Sequence, residues 1–134
     1  MDSTKEILTK YKTIALVGAS KDLSKTSSVV MRFLQTKGFK VYPVNPNIKG
    51  EKIMGEIVFG KVSEIGDLVD IVNVFRPSNE VKEIAEEAVK VNAKVLWLQL
   101  DIKNMEAKKI VEAKSILYVD NKCTKIEYEK YFDK

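Results

Sequence analysis

Five apolar runs, rich in Val, Ile and Leu, alternate with amphipathic stretches along this chain of 134 residues. The runs occupy residues 13–18, 39–46, 69–75, 94–100 and 115–120. A strand that is apolar at nearly every position is buried on both faces, which is typical of a parallel sheet with helices on both sides. Right-handed crossovers connect successive strands of such a sheet. The sequence therefore predicts an α/β fold: a Rossmann-like, doubly wound, parallel five-stranded sheet in a single domain of residues 1–134.

Helical spacing of apolar residues accounts for most of the segments around these strands. It predicts helices over residues 2–11, 27–38, 78–93, 102–114 and 124–132. Ser3 and Glu6 form a capping-box pattern at the start of the first helix, and Ser78 is the predicted N-cap of the third. The second, third and fourth helices lie between strands, where they provide the crossovers.

The composition removes several classes of function. The chain has no histidine and one cysteine, Cys123, which excludes Ser-His-Asp triads, Cys-His pairs, an internal disulfide and a Cys/His zinc cluster. No catalytic residue and no metal ligand is assigned, and an enzyme is disfavoured, although lysine and carboxylate chemistry stays open.

The charge pattern and the hydropathy bear on partners and location. The lysines behind the net charge of +4 are interleaved with glutamates, and the chain has only two arginines. This pattern indicates a solvated surface and disfavours a nucleic-acid partner. No apolar run approaches the roughly 20 residues of a membrane span, and the charged first segment lacks the apolar core of a signal peptide. We therefore expect no membrane partner and a cytoplasmic location.

The first loop of the predicted sheet has the features of a phosphate site. In doubly wound sheets, ligands bind beyond the carboxyl ends of the strands, next to the topological switch point. Gly18 permits a tight turn after the first strand, and the helix that follows brings backbone N–H groups and its dipole to the same place. The alternative is that Ser27 only caps the helix and the lysines are solvated. The candidate phosphate loop comprises Gly18, Ala19, Ser20, Lys21, Lys25 and Ser27.

The end of the second strand bears on which nucleotide is bound. NAD sites place an acidic residue there for the ribose hydroxyls, and their first loop carries three glycines. Here the strand ends at Asn45, no acidic residue follows until Glu51, and the first loop has one glycine. NAD is therefore disfavoured, whereas a nucleotide with an additional ribose phosphate meets no repelling carboxylate. A rigid turn without a ligand is the alternative for this segment.

Arg76, one of the two arginines, follows the third strand directly. Its planar fork suits a phosphate, and the flanking Phe75 and Pro77 are candidates to contact a purine ring. The alternative is that Phe75 belongs to the core and that Arg76 pairs with Glu80 or Glu83.

Gln99 and Cys123 follow the fourth and fifth strands. Gln99 is a candidate hydrogen-bonding group for a ligand, in contrast to Trp97 before it, which is expected in the core. Cys123 is either a buried structural cysteine or, between Lys122 and Lys125, a thiolate close to the ligand.

Several of these segments together resemble a known family. The motifs "VGAS", "VYPVNP", "VDIVNVFRPSNEV", "AKVLWLQL" and "KCTKIEY" occur in the order found in small stand-alone CoA-binding domain proteins, over about residues 12–128. These proteins are similar to the CoA-binding domain of the succinyl-CoA synthetase α-subunit. The resemblance implies coenzyme A as the ligand, with its diphosphate at the first loop. It also implies a second wall of the site formed by Val44, Asn45 and Pro46, and a nucleotide-facing segment formed by Phe75, Arg76 and Pro77.

The chain departs from the family pattern at three positions. Leu23 stands where proline is frequent, Asp101 where glycine is usual, and Tyr128 where histidine is frequent. The phosphorylated histidine of the synthetase has no counterpart, and the sequence contains no ATP-grasp half. Ligase activity of this chain by itself is therefore not expected.

Four hypotheses follow from the sequence. The first is a carrier or sensor that binds CoA or an acyl-CoA without chemistry of its own, with a mixed disulfide between Cys123 and CoA as an extension. The second is a component of an acyl-CoA synthetase-like enzyme that needs an ATP-grasp partner; a homodimer is a further possible assembly. The third is an NAD-responsive regulatory domain, and the fourth is an interaction module without a ligand.

Overall fold

The computed structural model of the chain describes residues 3–133. Met1, Asp2 and Lys134, which belong to the predicted domain, lie outside the described residues. The strands are β1 Thr13–Val17, β2 Lys40–Val44, β3 Lys52–Ile53, β4 Glu56–Ile57, β5 Ile71–Val74, β6 Val95–Leu98 and β7 Leu117–Val119. The helices are α1 Thr4–Lys10, α2 Thr26–Thr36, α3 Val81–Lys90, α4 Met105–Glu112 and α5 Thr124–Phe132.

Five of the strands form one parallel sheet in the order β2-β1-β5-β6-β7. The chain runs outward from β1 to β2, then returns past β1 to β5 and continues to β6 and β7. The direction of winding therefore reverses between β1 and β5, which is the topological switch point of this fold. The predicted five-stranded, parallel, doubly wound sheet is confirmed.

Helices cover both faces of the sheet, as the continuous apolar strands require. Val72, Leu96 and Leu98 face α3 and α4 in one core cluster. Leu16 and Trp97 face α1, α2 and α5 in the other. Every residue of β5 and β6 is buried, including Asn73, which explains why these strands read as unbroken apolar runs. Within residues 3–133, no helix is both long and apolar enough to cross a bilayer.

The predicted caps of the first and third helices have different outcomes. The Ser3 hydroxyl accepts a hydrogen bond from the Glu6 N–H at 3.3 Å, so the predicted N-cap of α1 is confirmed. The predicted Ser78 cap is wrong, because Ser78–Glu80 form a 3₁₀ turn and α3 begins only at Val81. The Ser78 hydroxyl instead accepts from the Lys103 N–H at 3.1 Å, so a contact with the loop after β6 has replaced the local one.

The short hairpin of β3 and β4 was not predicted from the sequence. Its turn residues, Met54 and Gly55, have φ values of 50° and 85°, which is the left-handed geometry of a tight hairpin turn. After the hairpin, the chain runs beside the end of β2: the Phe59 N–H donates to the Pro43 carbonyl at 3.0 Å, and the Asn45 N–H donates to the Phe59 carbonyl at 2.9 Å. This segment therefore covers the outer edge of β2 near the carboxyl ends of the strands.

A buried polar cluster joins the carboxyl ends of β5 and β6 to the start of α5. The Gln99 amide donates to the Asn73 side-chain oxygen and, at 3.4 Å, to the Thr124 hydroxyl. The Asn73 amide donates to the same hydroxyl at 3.2 Å. Since all three side chains are buried, each of these polar groups depends on the others for its hydrogen bonds.

Replacing the Thr124 hydroxyl is expected to destabilise the fold. Thr124→Val keeps the side-chain shape but leaves the Asn73 amide without its acceptor, so the free energy of unfolding should fall by about 1–3 kcal/mol. Thr26→Val is the matched control, because Thr26 is likewise the first residue of a helix but is exposed. Urea denaturation of both variants measures the difference, and equal losses would contradict a stabilising role for the cluster.

Candidate functional site

A groove with a volume of about 1070 Å³ opens at the switch point. The carboxyl ends of three strands meet here, since Val17 of β1 pairs with Val44 of β2 on one side and with Val74 of β5 on the other. We call this the switch-point groove. Its walls include Gly18, Val44, Asn45, Pro46, Lys61 and Arg76.

At Gly18 the loop after β1 contacts the loop after β5. Its φ is 96°, and a Cβ added there would lie 2.9 Å from the Phe75 carbonyl oxygen and 3.1 Å from Arg76 Cδ. The Gly18 and Ala19 N–H groups both donate to the Val44 carbonyl, at 3.0 and 3.2 Å. The first loop is thus held against the ends of both β2 and β5. Only glycine combines this backbone conformation with such a close approach.

The remainder of the first loop is folded by its own serines. The Ser28 hydroxyl lies 2.9 Å from both the Ser20 and the Asp22 carbonyl oxygens, to which it donates. The Ser20 hydroxyl accepts from the Asp22 N–H at 3.0 Å. Hydrogen bonds from Ser24 lower the pKa of the Asp22 carboxyl. The Ser28 hydroxyl, expected with Ser27 at the phosphate site, is therefore used to shape the loop, while Ser27 is buried in the first turn of α2.

Asn45 connects the first two loops through its side chain. Its amide nitrogen donates to the Ala19 carbonyl at 2.8 Å, and its amide oxygen accepts from the Asn47 N–H at 2.9 Å. Pro46 follows as the first residue of a 3₁₀ turn, Pro46–Ile48. Because both ends of the Asn45 amide are engaged within the protein, its contribution to the groove is to position the loops.

The Arg76 guanidinium is paired with Glu80 on the groove wall. Arg76 Nε and Nη2 donate to the two carboxylate oxygens of Glu80 at 3.0 and 2.7 Å. These hydrogen bonds raise the pKa of Arg76 and lower the pKa of Glu80. The sequence left open whether Arg76 faces a phosphate or pairs with Glu80 or Glu83. In the structure it pairs with Glu80.

Two further cations near the groove carry a glutamate partner. Lys21 lies 2.5 Å from Glu51, and Lys49 lies 3.1 Å from Glu64. The hydrogen bond from Lys49 and that from the Gly60 N–H lower the pKa of the Glu64 carboxyl. Each pair joins two loops at the carboxyl ends of the strands, and all of these side chains are accessible to solvent.

The predicted site residues divide into two groups. The structure brings Gly18, Val44, Asn45, Pro46 and Arg76 together around the groove. The others do not line it. Two are buried, Ala19 and Ser27, and Phe75 packs on the α2 side of the core. Ser20 is hydrogen-bonded to Asp22, Lys21 is paired with Glu51, and Lys25 and Pro77 are exposed.

Gln99 and Cys123 also lie away from the groove. Gln99 is 4% exposed, and its amide is hydrogen-bonded within the Asn73 and Thr124 cluster. Cys123 is 7% exposed and occupies the N-cap position of α5. A mixed disulfide between Cys123 and CoA therefore requires the start of α5 to move, and it stays a prediction.

Sequence reasoning missed the wall of the groove formed by α3 and the turn before it. Glu80 of that turn and Glu83 and Glu87 of α3 line this wall, and Lys61, on the segment after the hairpin, also lines the groove. The Glu87 carboxylate is held by the Ser63 N–H at 2.9 Å, which fixes that segment against α3. The three glutamates are spaced at i, i+3 and i+7 directly after a candidate loop. This spacing was the sequence signal that they lie on the same side of the chain.

The three departures from the family pattern have different structural settings. Asp101 has a φ of 68°, in the left-handed region that favours glycine, and its N–H donates to the Asn121 side chain at 2.8 Å. Tyr128 packs edge-to-face on Phe33, with ring centroids 5.6 Å apart, and so belongs to the aromatic packing of α2 and α5. Leu23 is 58% exposed on the first loop.

Adding a methyl group at Gly18 is expected to disturb the loop crossing. Gly18→Ala should lower the free energy of unfolding by about 2–4 kcal/mol, because the backbone conformation is strained for alanine and the Phe75 carbonyl must move. Gly38→Ala is the control: its φ is 92° but no atom lies within 4 Å of the added Cβ, so only the backbone strain of about 1–2 kcal/mol applies. Chemical denaturation compares the two, and equal losses would contradict the close contact.

Asp101→Gly is expected to stabilise the fold by about 0.5–1 kcal/mol, because glycine adopts a positive φ without steric strain. Asn121→Gly serves as the contrast: its φ is 55°, but the substitution also removes the acceptor for the Asp101 N–H. The melting temperature should therefore be higher than that of the wild type for Asp101→Gly but not for Asn121→Gly. A lower melting temperature for Asp101→Gly would contradict the expectation.

Comparison with known proteins places the chain among CoA-binding domains. The family model described as "CoA binding domain" matches residues 12–129. The uncharacterized protein YneT of Bacillus subtilis is 36% identical over 124 residues, which are 92% of this chain and 90% of YneT. A hypothetical protein from Pyrococcus horikoshii OT3 has a similar structure, with a TM-score of 0.91 and 38% identity over 95% of this chain and 88% of that one.

A larger enzyme contains a related segment. The acetate–CoA ligase (ADP-forming) of Methanocaldococcus jannaschii is 31% identical over 83 residues, which are 62% of this chain but only 12% of the ligase. The fold, the family match over residues 12–129 and these similarities lead to one conclusion: the chain belongs to the CoA binding domain family.

Proposed function

We propose that this chain binds coenzyme A or an acyl-CoA in the switch-point groove, as a carrier or sensor without chemistry of its own. The observation that carries the proposal is the contact of the Arg76 stem with the Gly18 backbone at the switch point, which places an arginine on the groove wall in a member of the CoA binding domain family. The groove volume of about 1070 Å³ is at the upper end of the usual range for small-molecule sites.

The chemistry of the groove wall suits the two halves of CoA. Arg76 and Lys61 offer cations for phosphate groups, and Lys49 and Lys21 lie on adjoining loops. Val44, Pro46 and Ile84 offer apolar contacts for a purine ring or a pantetheine chain. The absence of histidine, together with the burial of the one cysteine, supports binding without catalysis. A cytoplasmic location, where CoA is used, stays a prediction.

NAD suits the groove less well than CoA. The residue at the end of β2, Asn45, has its amide engaged by Ala19 and Asn47, so no side chain there accepts from ribose hydroxyls. The nearest acidic residue after it, Glu51, is paired with Lys21. These contacts support a ligand whose ribose carries a phosphate.

Replacing Arg76 is expected to weaken CoA binding. Isothermal titration calorimetry should detect CoA binding to the wild type, and Arg76→Gln should lower the affinity about tenfold by removing charged hydrogen bonds to phosphate. The control is Arg32→Gln, which removes the other arginine, exposed on α2, and should change the affinity by less than about twofold.

The same titrations discriminate between ligands and between sites. NAD binding with no heat from CoA would contradict the proposal. Equal losses for Arg76→Gln and Arg32→Gln would show that CoA binds outside the switch-point groove.

A second candidate is a subunit that completes an acyl-CoA synthetase-like enzyme. The similarity to the ADP-forming ligase favours it, because the matched segment is 12% of that enzyme and the remaining chemistry lies elsewhere in it. An ATP-grasp protein is the partner this hypothesis requires. Co-purification from the native source should recover such a protein, and acyl-CoA formation should then need both chains; a chain that purifies alone or only as a homodimer contradicts it.

A further inference from the structure

The pair of Arg76 and Glu80 lies on the wall of the switch-point groove. The stem of Arg76 lies on Gly18, which places this arginine beside the turn at the end of β1. One edge of that guanidinium, Nε with Nη2, is already bound by both carboxylate oxygens of Glu80. A carboxylate and a phosphate use the same two-pronged geometry on arginine, so the two anions are alternatives for this edge.

We propose that Glu80 is an intramolecular competitor of the ligand: its carboxylate and a phosphate group of CoA exchange on the Arg76 guanidinium. Glu80 thereby lowers the affinity of the groove for its ligand and favours release. The inference rests on the proposed function, since it concerns a phosphate ligand in the same groove. It assigns to Glu80 a role in setting affinity, which neither the family motif nor the loop pattern in the sequence indicates.

The exposure of the pair makes exchange feasible. The side chains of both residues are 45% exposed, and forming an exposed ion pair typically changes an equilibrium constant by about fivefold or less; the bidentate geometry places this pair at the strong end of that range. A ligand with several phosphates gains contacts elsewhere in the groove, so it can displace one such carboxylate. After displacement Glu80 stays at the groove wall, in the turn that precedes α3, where its charge repels the ligand.

A positioning role for Glu80 is the opposite possibility, and the contacts disfavour it. The Arg76 stem is already held by its contact with Gly18, at the crossing of the two loops. The Gly18 contact thus places the stem without the carboxylate, whereas the carboxylate takes two of the guanidinium's donors. Removing Glu80 has opposite consequences under the two roles: affinity rises if it competes and falls if it positions.

Glu83, in the first turn of α3, provides a matched control. It lines the same groove, and within the described part of the chain it forms no ion pair. Glu83→Gln removes the same charge from the same wall without freeing Arg76. The difference between Glu80→Gln and Glu83→Gln is therefore the effect of competition for the guanidinium, separated from the general repulsion of an anionic ligand.

The experiment is a titration of the full chain with CoA, by calorimetry, for five proteins. These are the wild type, Glu80→Gln, Glu83→Gln, Arg76→Gln and the double variant Arg76→Gln/Glu80→Gln. Glu80→Gln should raise the affinity about three- to fivefold, and Glu83→Gln less than about twofold. In the Arg76→Gln background, Glu80→Gln should raise the affinity for CoA no more than Glu83→Gln does in the wild-type background. The reason is that the guanidinium for which Glu80 and the phosphate compete is then absent.

Three outcomes overturn the inference while leaving CoA binding intact: a lower affinity of Glu80→Gln, equal gains for Glu80→Gln and Glu83→Gln, or a full gain in the Arg76→Gln background. No binding of CoA to the wild type or to Glu80→Gln overturns the proposed function and the inference with it. Because Glu80 is exposed, Glu80→Gln is expected to fold, and an unchanged circular dichroism spectrum checks this for each variant.

Discussion

The crossing of two loops at Gly18 is the contact on which the rest of the candidate site depends. The Phe75 carbonyl and the Arg76 stem lie where any other residue would place its Cβ, and the Gly18 N–H holds the end of β2 through Val44. Backbone therefore forms the centre of the groove, and recognition of a ligand is left to side chains on its walls. This is the arrangement expected where a parallel sheet reverses its winding, because three strand ends converge there without a helix between them.

The charges around this crossing are arranged as pairs and do not form one positive patch. Arg76, Lys21 and Lys49 each contact a glutamate, and α3 adds further carboxylates to the wall. The net charge of +4 is thus not concentrated at the groove. Exposed pairs of this kind stabilise the fold little. Their consequence is for binding: an anion that takes the Nε and Nη2 edge of Arg76 does so by exchange with the Glu80 carboxylate.

The sheet was predictable from the sequence because its central strands, β1, β5 and β6, are buried on both faces and therefore read as nearly continuous apolar runs. The same physics explains the errors. Strands of two residues, such as β3 and β4, leave no periodic signal, and the Ser78 cap failed because a residue 25 positions away, Lys103, uses its hydroxyl. The rule that ligands bind beyond the carboxyl ends of the strands predicted positions for Gly18 and Arg76 that the structure places at the groove. It did not predict the α3 wall, because which side of a helix faces a groove depends on packing. Gln99 looked accessible at the end of its strand, but two partners distant in sequence, Asn73 and Thr124, bury it.

The similarity to a ligase and the exchange proposed at Arg76 bear on the same question, which is how tightly the proposed ligand should be held. In the ligase the matched segment is only 12% of the chain, so the present domain corresponds to a small part of that enzyme. The single cysteine of this chain is buried, so its thiol is not presented to a ligand in the groove. The uses proposed above, as carrier, sensor or subunit, each require the ligand to be handed on, and very tight binding would oppose this. A carboxylate that returns to the arginine when the phosphate leaves favours release without any change of fold.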